Sequence, residues 1–207
     1  VVFFFFSSLN LLTYCNKKRL YNLLFKCAGR TLTALGKEKK WLNGKTGAIC
    51  VLHTWGQKLN LHPHVHCIVP GGALSPDKTK WNACKKGYFL PVKVLAKRFR
   101  RLFLDELKQL YENKRLFLEG SLAQLKEPKA WQALIDELFN KNWVAYAKKP
   151  FRNVGTVIRY LSRYTHRIAI SNYRLVKLEA GNVYFTYRDY HDGNKQKLMC
   201  LTALEFM

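Results

Sequence analysis

Acidic residues are scarce in this chain of 207 residues: 13 Asp and Glu stand against 36 Lys and Arg, for a net charge of +23. The usual counterpart of such an excess is a polyanion, most often nucleic acid. The plainer alternative is a basic protein of ribosomal type, or one merely kept soluble by its charge. Six cysteines are present (Cys15, Cys27, Cys50, Cys67, Cys84, Cys200), but no two form a C-x-x-C pair. Their irregular spacing gives no support to a zinc ribbon or a disulfide framework, and free thiols in a reducing compartment are expected. Long apolar runs are missing too. The opening "VVFFFFSSLNLL" is about half the length of a membrane helix. No basic segment precedes it, so it makes a poor signal peptide. It lacks an initiator Met, and the ending "LTALEFM" has no clear cap, so truncation at both ends is expected. Repeats and low-complexity linkers are also lacking. With 48% hydrophobic and 14% aromatic residues, the chain can still bury the core of one sizeable domain.

What is there alternates between two periods. Val1–Phe6 reads as a buried strand. Residues 17–35 place Leu20, Leu23, Leu24, Cys27 and Ala28 at helical spacing, with Gly36 as the stop. "GAICVLHTW" (47–55) and "HVHCIVP" (64–70) read as strands of an antiparallel hairpin, ended by Gly71 and Gly72. "GYFLPVKV" adds a short extended piece. Pro91 opens a long helix with Leu95, Phe99, Leu102, Phe103, Leu107 and Leu110 on one face. Pro128 opens another, to about Phe139. "NWVAYAK" alternates like a strand, a helix covers about 154–166, and strands follow at 168–178 and 182–190 around the turn "EAGN". Hairpins among mixed elements predict an α+β fold with a central antiparallel sheet and flanking helices, in one domain over 1–207 with a helical insertion at about 91–140.

"LHPHVHCIVPGG" (61–72) spends histidines at alternating positions. On a strand His64 and His66 share one face, while Val65 and Cys67 turn to the core. Two imidazoles side by side can close around one divalent ion and leave further positions for water or substrate. An isolated H-x-H more often marks a solvated sheet face. His53, on the neighbouring strand, is a candidate third ligand. Gln57 is a weaker one, and His62 is assigned to the loop.

"VIRYLSRYTHRIAIS" is the second unusual stretch. Tyr160 and Tyr164 stack on one helix face, and Arg163 and Arg167 each follow a tyrosine by three. A phenol oxygen can attack a phosphodiester, and arginine can hold the phosphate. The commoner use of such a pair is aromatic core packing. His166 follows closely, but helical phase turns it away.

Together, H-x-H followed by Y-x-x-x-Y resembles the HUH single-strand endonucleases. More closely, "VLHTWGQKLNLHPHVHCIVPGGALS", "FLPVKVLAKRFR", "WVAYAKKPF" and "YLSRYTHRIAISNYRL" resemble the two-tyrosine rolling-circle transposases of the insertion-sequence-ninety-one type, relatives of Helitrons. That family carries an N-terminal zinc ribbon not found here, continues past this end, and begins with a different first strand. The resemblance implies a ferredoxin- or palm-like HUH fold and a metal-dependent endonuclease and strand transferase. Such an enzyme nicks single-stranded DNA at transposon ends through a 5′-phosphotyrosine, in a bacterial cytoplasm and away from membranes. It implies His64 and His66 as ligands of Mg²⁺ or Mn²⁺, and Tyr160 and Tyr164 as nucleophiles. His53 as third ligand rests on hairpin geometry alone.

The acid-free run Lys93–Arg101, with Lys97, Arg98 and Arg101, is the candidate surface for tracking a DNA backbone; a solvated helix face is the alternative. Tyr184, Tyr187 and Tyr190 near Arg188 could stack on bases or pack along a strand. An inactive remnant acting only as a basic nucleic-acid-binding module, and a hydrolase that activates water at a metal, are the other functional readings.

Overall fold

The computed structural model describes residues 1–85, 89–148, 151, 153–165, 169–189 and 192–207, with backbone alone at 163–165. Its centre is a four-stranded antiparallel sheet of β1 (Val2–Phe4), β2 (Ile49–Trp55), β3 (Leu61–Ile68) and β6 (Ala145–Tyr146), in the order β2-β3-β1-β6. The opening apolar run is therefore an interior strand. Phe3 pairs with Val65 and, like it, is fully buried.

Alternation along β1 and β3 gives the sheet two unlike faces. Phe3, Val65 and Cys67 join the core with α2 (Lys17–Lys37) and α3 (Val92–Glu112). Phe3 stacks on Phe99 at 4.6 Å, and Phe5 meets Phe103 at 5.0 Å between ring centroids. A short α1 (Asn10–Cys15) leads into α2, and α4 (Pro128–Asn140) packs on α3. Val2 and Phe4 pair with His66 and His64, so those four side chains share the other face. There α5 (Val154–Thr165) approaches.

Two smaller sheets complete the fold. β4 (Gly72–Leu74) and β5 (Trp81–Ala83) form a hairpin, bridged to the body through Lys45 and Leu74. β7 (Leu175–Glu179), β8 (Asn182–Asp189) and β9 (Lys195–Thr202) form an antiparallel meander ending in a short α6 (Ala203–Phe206). Its first turn holds Ala180 and Gly181 at φ of 47° and 74°, the left-handed pair that a tight hairpin needs.

The mixed α+β architecture with antiparallel sheets agrees with the sequence pattern, and several boundaries differ. The strand expected over 168–178 begins at Leu175, because Asn172–Arg174 form a 3-10 turn; residue 168 lies outside the described residues. Over "NWVAYAK" the alternation is right, but only Ala145 and Tyr146 pair, because β1 offers them just Phe3 and Val2. The helix expected to stop at Gly36 runs to Lys37. "GYFLPVKV" forms no strand in its described part: Phe89 and Leu90 are irregular and Val92 already belongs to α3; Gly87 and Tyr88 lie outside the described residues. β9 escaped the pattern because Leu198 and Cys200 point outward while Met199 and Leu201 turn inward, which erases the alternation. The expected free thiols are all unbridged. Cys50 and Cys67 oppose each other across β2 and β3, sulfur atoms 3.3 Å apart.

Candidate functional site

Strand pairing places His53 directly opposite His64. His66 follows on the same face, and the three rings cluster with centroids 4.7 to 5.4 Å apart. All three are buried, at 7%, 9% and 8% exposure. One nitrogen from each lies within 4.8 Å of the other two. Nitrogens bound to one ion at about 2.1 Å can be no more than about 4.2 Å apart. The cluster therefore needs only a small side-chain adjustment to hold a metal ion.

Each imidazole is steadied from a different part of the chain. Trp55 lies against His53 at 5.0 Å and 14°, and Phe4 stacks on His64 at 5.5 Å and 23°. His64 Nδ1 is 2.6 Å from the His62 carbonyl. It must donate there, which leaves Nε2 as its ligating nitrogen. His62 itself corrects the sequence reading. β3 starts at Leu61, so His62 belongs to the strand and lines the same cleft. Pro63, which the sequence reading left just ahead of the strand, sits inside it. It has no N–H to donate, and the β2–β3 register slips beside it, between the His53 and Trp55 pairs.

Burial pushes His64 down to about 4; the His62 carbonyl opposes this, and the neighbouring His62 and His53 add to it. Burial likewise pushes His66 down to about 3, reinforced by His64 and His53. Both are thus neutral near pH 7, the form that binds metal.

Tyr160 reaches this cluster from α5. Its hydroxyl is 2.9 Å from His66 Nδ1, across 94 positions of sequence. Phe151 packs on the phenol ring at 5.0 Å. The cleft here encloses about 570 Å³ and is also lined by Trp55, Gln57, Tyr146, Lys148 and Arg174. Arg174 is anchored by Nε to the Thr186 carbonyl (2.7 Å) and by a terminal nitrogen to the Gln57 carbonyl (2.6 Å). Lys148 and Arg174 were not singled out from sequence. Both nevertheless fall inside stretches that carried the family resemblance, "WVAYAKKPF" and "YLSRYTHRIAISNYRL".

The other candidates separate. Tyr164 and Arg163 lie on the last turn of α5 with backbone alone described, and Arg167, His166 and Tyr190 lie outside the described residues. Lys97, Arg98 and Arg101 sit on α3, which packs on the opposite face of the sheet through Phe99 and Phe103. The structure does not bring them to the histidines. Tyr187 is buried in its sheet, whereas Tyr184 is half-buried beneath Lys177.

Comparison with known proteins shows the family. Residues 47–207, which hold all three histidines and both tyrosines, match the model of a family described as "Putative transposase". "Putative transposase y4qJ" of Sinorhizobium fredii is 44% identical over all 207 residues, which cover 52% of that protein. "Transposase for insertion sequence element IS801" of Pseudomonas savastanoi pv. phaseolicola is 30% identical over 172 residues, 83% of this chain and 40% of the relative. The chain thus spans about half the length, or less, of the curated relatives it matches. No solved structure matches it. Among the described residues no helix is long and apolar enough to cross a membrane. The chain belongs to this transposase family.

Proposed function

We propose that this chain carries the catalytic part of a transposase that nicks single-stranded DNA at transposon ends, with Tyr160 as nucleophile. In this reading it is a two-tyrosine HUH enzyme of the insertion-sequence-ninety-one type, acting on DNA in the bacterial cytoplasm. The observation that carries the reading is the 2.9 Å contact between the Tyr160 hydroxyl and His66. A phenol set beside a buried triad of metal-competent imidazoles is of little use to a module that only binds DNA. A hydrolase that activates water would leave Tyr160 without a role.

His53, His64 and His66 would hold the ion, with Mg²⁺ or Mn²⁺ as the expected choice for phosphoryl chemistry. When bound, such an ion polarises a phosphoryl oxygen and offsets the charge that develops in the transition state. The chain's own groups do the rest. With Nδ1 of His66 engaged by Tyr160, Nε2 is the nitrogen left for metal. Nδ1 then carries its proton and donates to the phenol oxygen, orienting it and favouring its ionised form. Tyr160 Oη attacks phosphorus, the bond from phosphorus to the 3′-oxygen breaks, and a 5′-phosphotyrosine and a free 3′-OH result. The phenolic proton is balanced by the one taken up at the 3′-oxygen. Lys148 and Arg174, which line the cleft, are the proposed contacts for the non-bridging oxygens. Arg163 and Arg167 remain proposed phosphate contacts near the helix end. Tyr164, one turn beyond Tyr160, is the proposed second nucleophile for strand transfer.

The test is covalent trapping. A single-stranded oligonucleotide carrying a transposon end, incubated with the protein and Mg²⁺ or Mn²⁺, should yield a protein–DNA adduct. Chelator should suppress it, and the double variant Tyr160→Phe/Tyr164→Phe should abolish it. An adduct that persists in the double variant would remove the assignment.

A further inference from the structure

The helical layer on the far side of the sheet carries a charge pattern that the cleft does not use. α2 has no acidic residue from Lys17 to Lys37. Its buried positions, Leu20 to Leu35, face the sheet, leaving Arg19, Lys26, Arg30 and Lys37 exposed on the outer side. α3 has no acidic residue before Asp105 and exposes Lys97, Arg98 and Arg101, with Lys108 half-buried beside them.

The two helices lie side by side and antiparallel. The Asn16 side chain, at the start of α2, exchanges hydrogen bonds of 3.0 and 2.7 Å with the Phe117 backbone, beyond the end of α3. Further along, Glu106 of α3 bridges Lys26 at 2.6 Å and also pairs with Arg30. The same antiparallel run carries Lys37 toward the end of α3 that holds Lys97. One outer face results, with cations along its whole length. Its acids are Glu106, already spanned by two cations, Asp105, which lies 3.9 Å from Arg101, and Glu112 at the last position of α3.

We propose that this two-helix face binds the phosphate backbone of double-stranded DNA, as a second nucleic-acid surface separate from the cleft. Both helices have 21 residues, about 31 Å, which matches about nine base pairs of duplex. The exposed positions of both helices hold Lys, Arg, Asn, Gln, Asp, Glu and one Val but no aromatic residue, and Tyr21 and Phe25 of α2 are half-buried. Unpaired strands are gripped largely by stacking on aromatic rings. The cleft supplies such rings in Phe4, Trp55, Tyr146 and Tyr160; the helical face supplies only charge. A cationic face of this kind contacts phosphates without reading bases. The partner is therefore duplex of any sequence, as would flank a transposon end. This inference rests on membership of a transposase family and not on the nicking reaction.

The test uses binding alone, so a protein that cuts nothing would still give a clear answer. A labelled 20-base-pair duplex of random sequence is titrated by fluorescence anisotropy over a range of salt. The variant Lys37→Ala/Lys97→Ala/Arg98→Ala/Arg101→Ala removes four exposed cations. A control, Lys45→Ala/Lys80→Ala/Lys177→Ala/Lys195→Ala, removes the same charge elsewhere. Circular dichroism verifies that both are folded. The helix variant should lose at least about tenfold in affinity, and its salt slope should flatten by roughly three to four units. The control should stay near the parent protein. Equal losses in the two variants would mean that net charge alone matters and would overturn the proposal, as would no loss in the helix variant.

Discussion

Trp55 stacks on His53, with ring centroids 5.0 Å apart and planes 14° from parallel. The indole comes from the same strand as the imidazole it supports, two residues on, where the register slip beside Pro63 lets it lean over. Such supporting contacts commonly change metal affinity by tenfold or more. Trp55→Ala should therefore weaken Mn²⁺ binding about tenfold in calorimetric titration. Trp81→Ala, which removes an exposed indole on β5, should leave it unchanged. Equal affinities in the two variants would show that the His53 ring needs no such support.

Acid should loosen the fold through the histidines. In the unfolded chain their pKa values sit near 6.5, whereas burial holds His64 at about 4 and His66 at about 3. Between those limits the unfolded state binds more protons than the folded one, so stability rises with pH. The contribution is intact above about 6.5 and is lost as pH falls toward 4. The double variant His64→Gln/His66→Gln cannot titrate there. Urea midpoints measured at pH 7.5 and 5, without metal, should fall further for the parent protein than for that variant. Parallel falls would contradict the burial seen here.

The site stands on a core seam that should be expensive to open. Phe99 is 1% exposed and stacks on Phe3, whose strand neighbours present Val2 and Phe4 to the histidine face. Phe99→Ala should cost about 3–5 kcal/mol in chemical denaturation. Phe139→Ala, at an exposed ring on α4, should cost under about 1 kcal/mol. Similar losses at both positions would mean that the seam does not anchor β1.

Much of this site could be read from sequence because it obeys local periods. Alternation put His64 and His66 on one face, and hairpin logic brought in His53. Helical spacing put Tyr160 and Tyr164 on one side of α5, although Tyr164 is seen here only by its backbone. What could not be read were the partners that steady the site. Phe4 reaches His64 only through the pairing of β1 with β3, across 60 positions of sequence, and Arg174 reaches the cleft through carbonyls of Thr186 and Gln57. The sequence reading starts this strand at His64 and puts His62 in the loop, whereas pairing with β2 extends it back to Leu61. The basic run of α3 was legible as charge, but no local pattern says which face of the sheet a helix will cover. That choice comes from Phe99 and Phe103 meeting Phe3 and Phe5.

The account depends on Tyr160 being the group that takes the DNA. Trypsin cleaves after Arg159, Arg163 and Arg167, so the two tyrosines fall on different peptides of a trapped adduct. Mass spectrometry of the oligonucleotide-bearing peptide should find a 5′-phosphate ester on the peptide that begins with Tyr160. In the Tyr160→Phe variant, any remaining adduct should move to the peptide that begins with Tyr164. DNA attached to any other residue, or cut ends carrying no protein at all, would contradict the account.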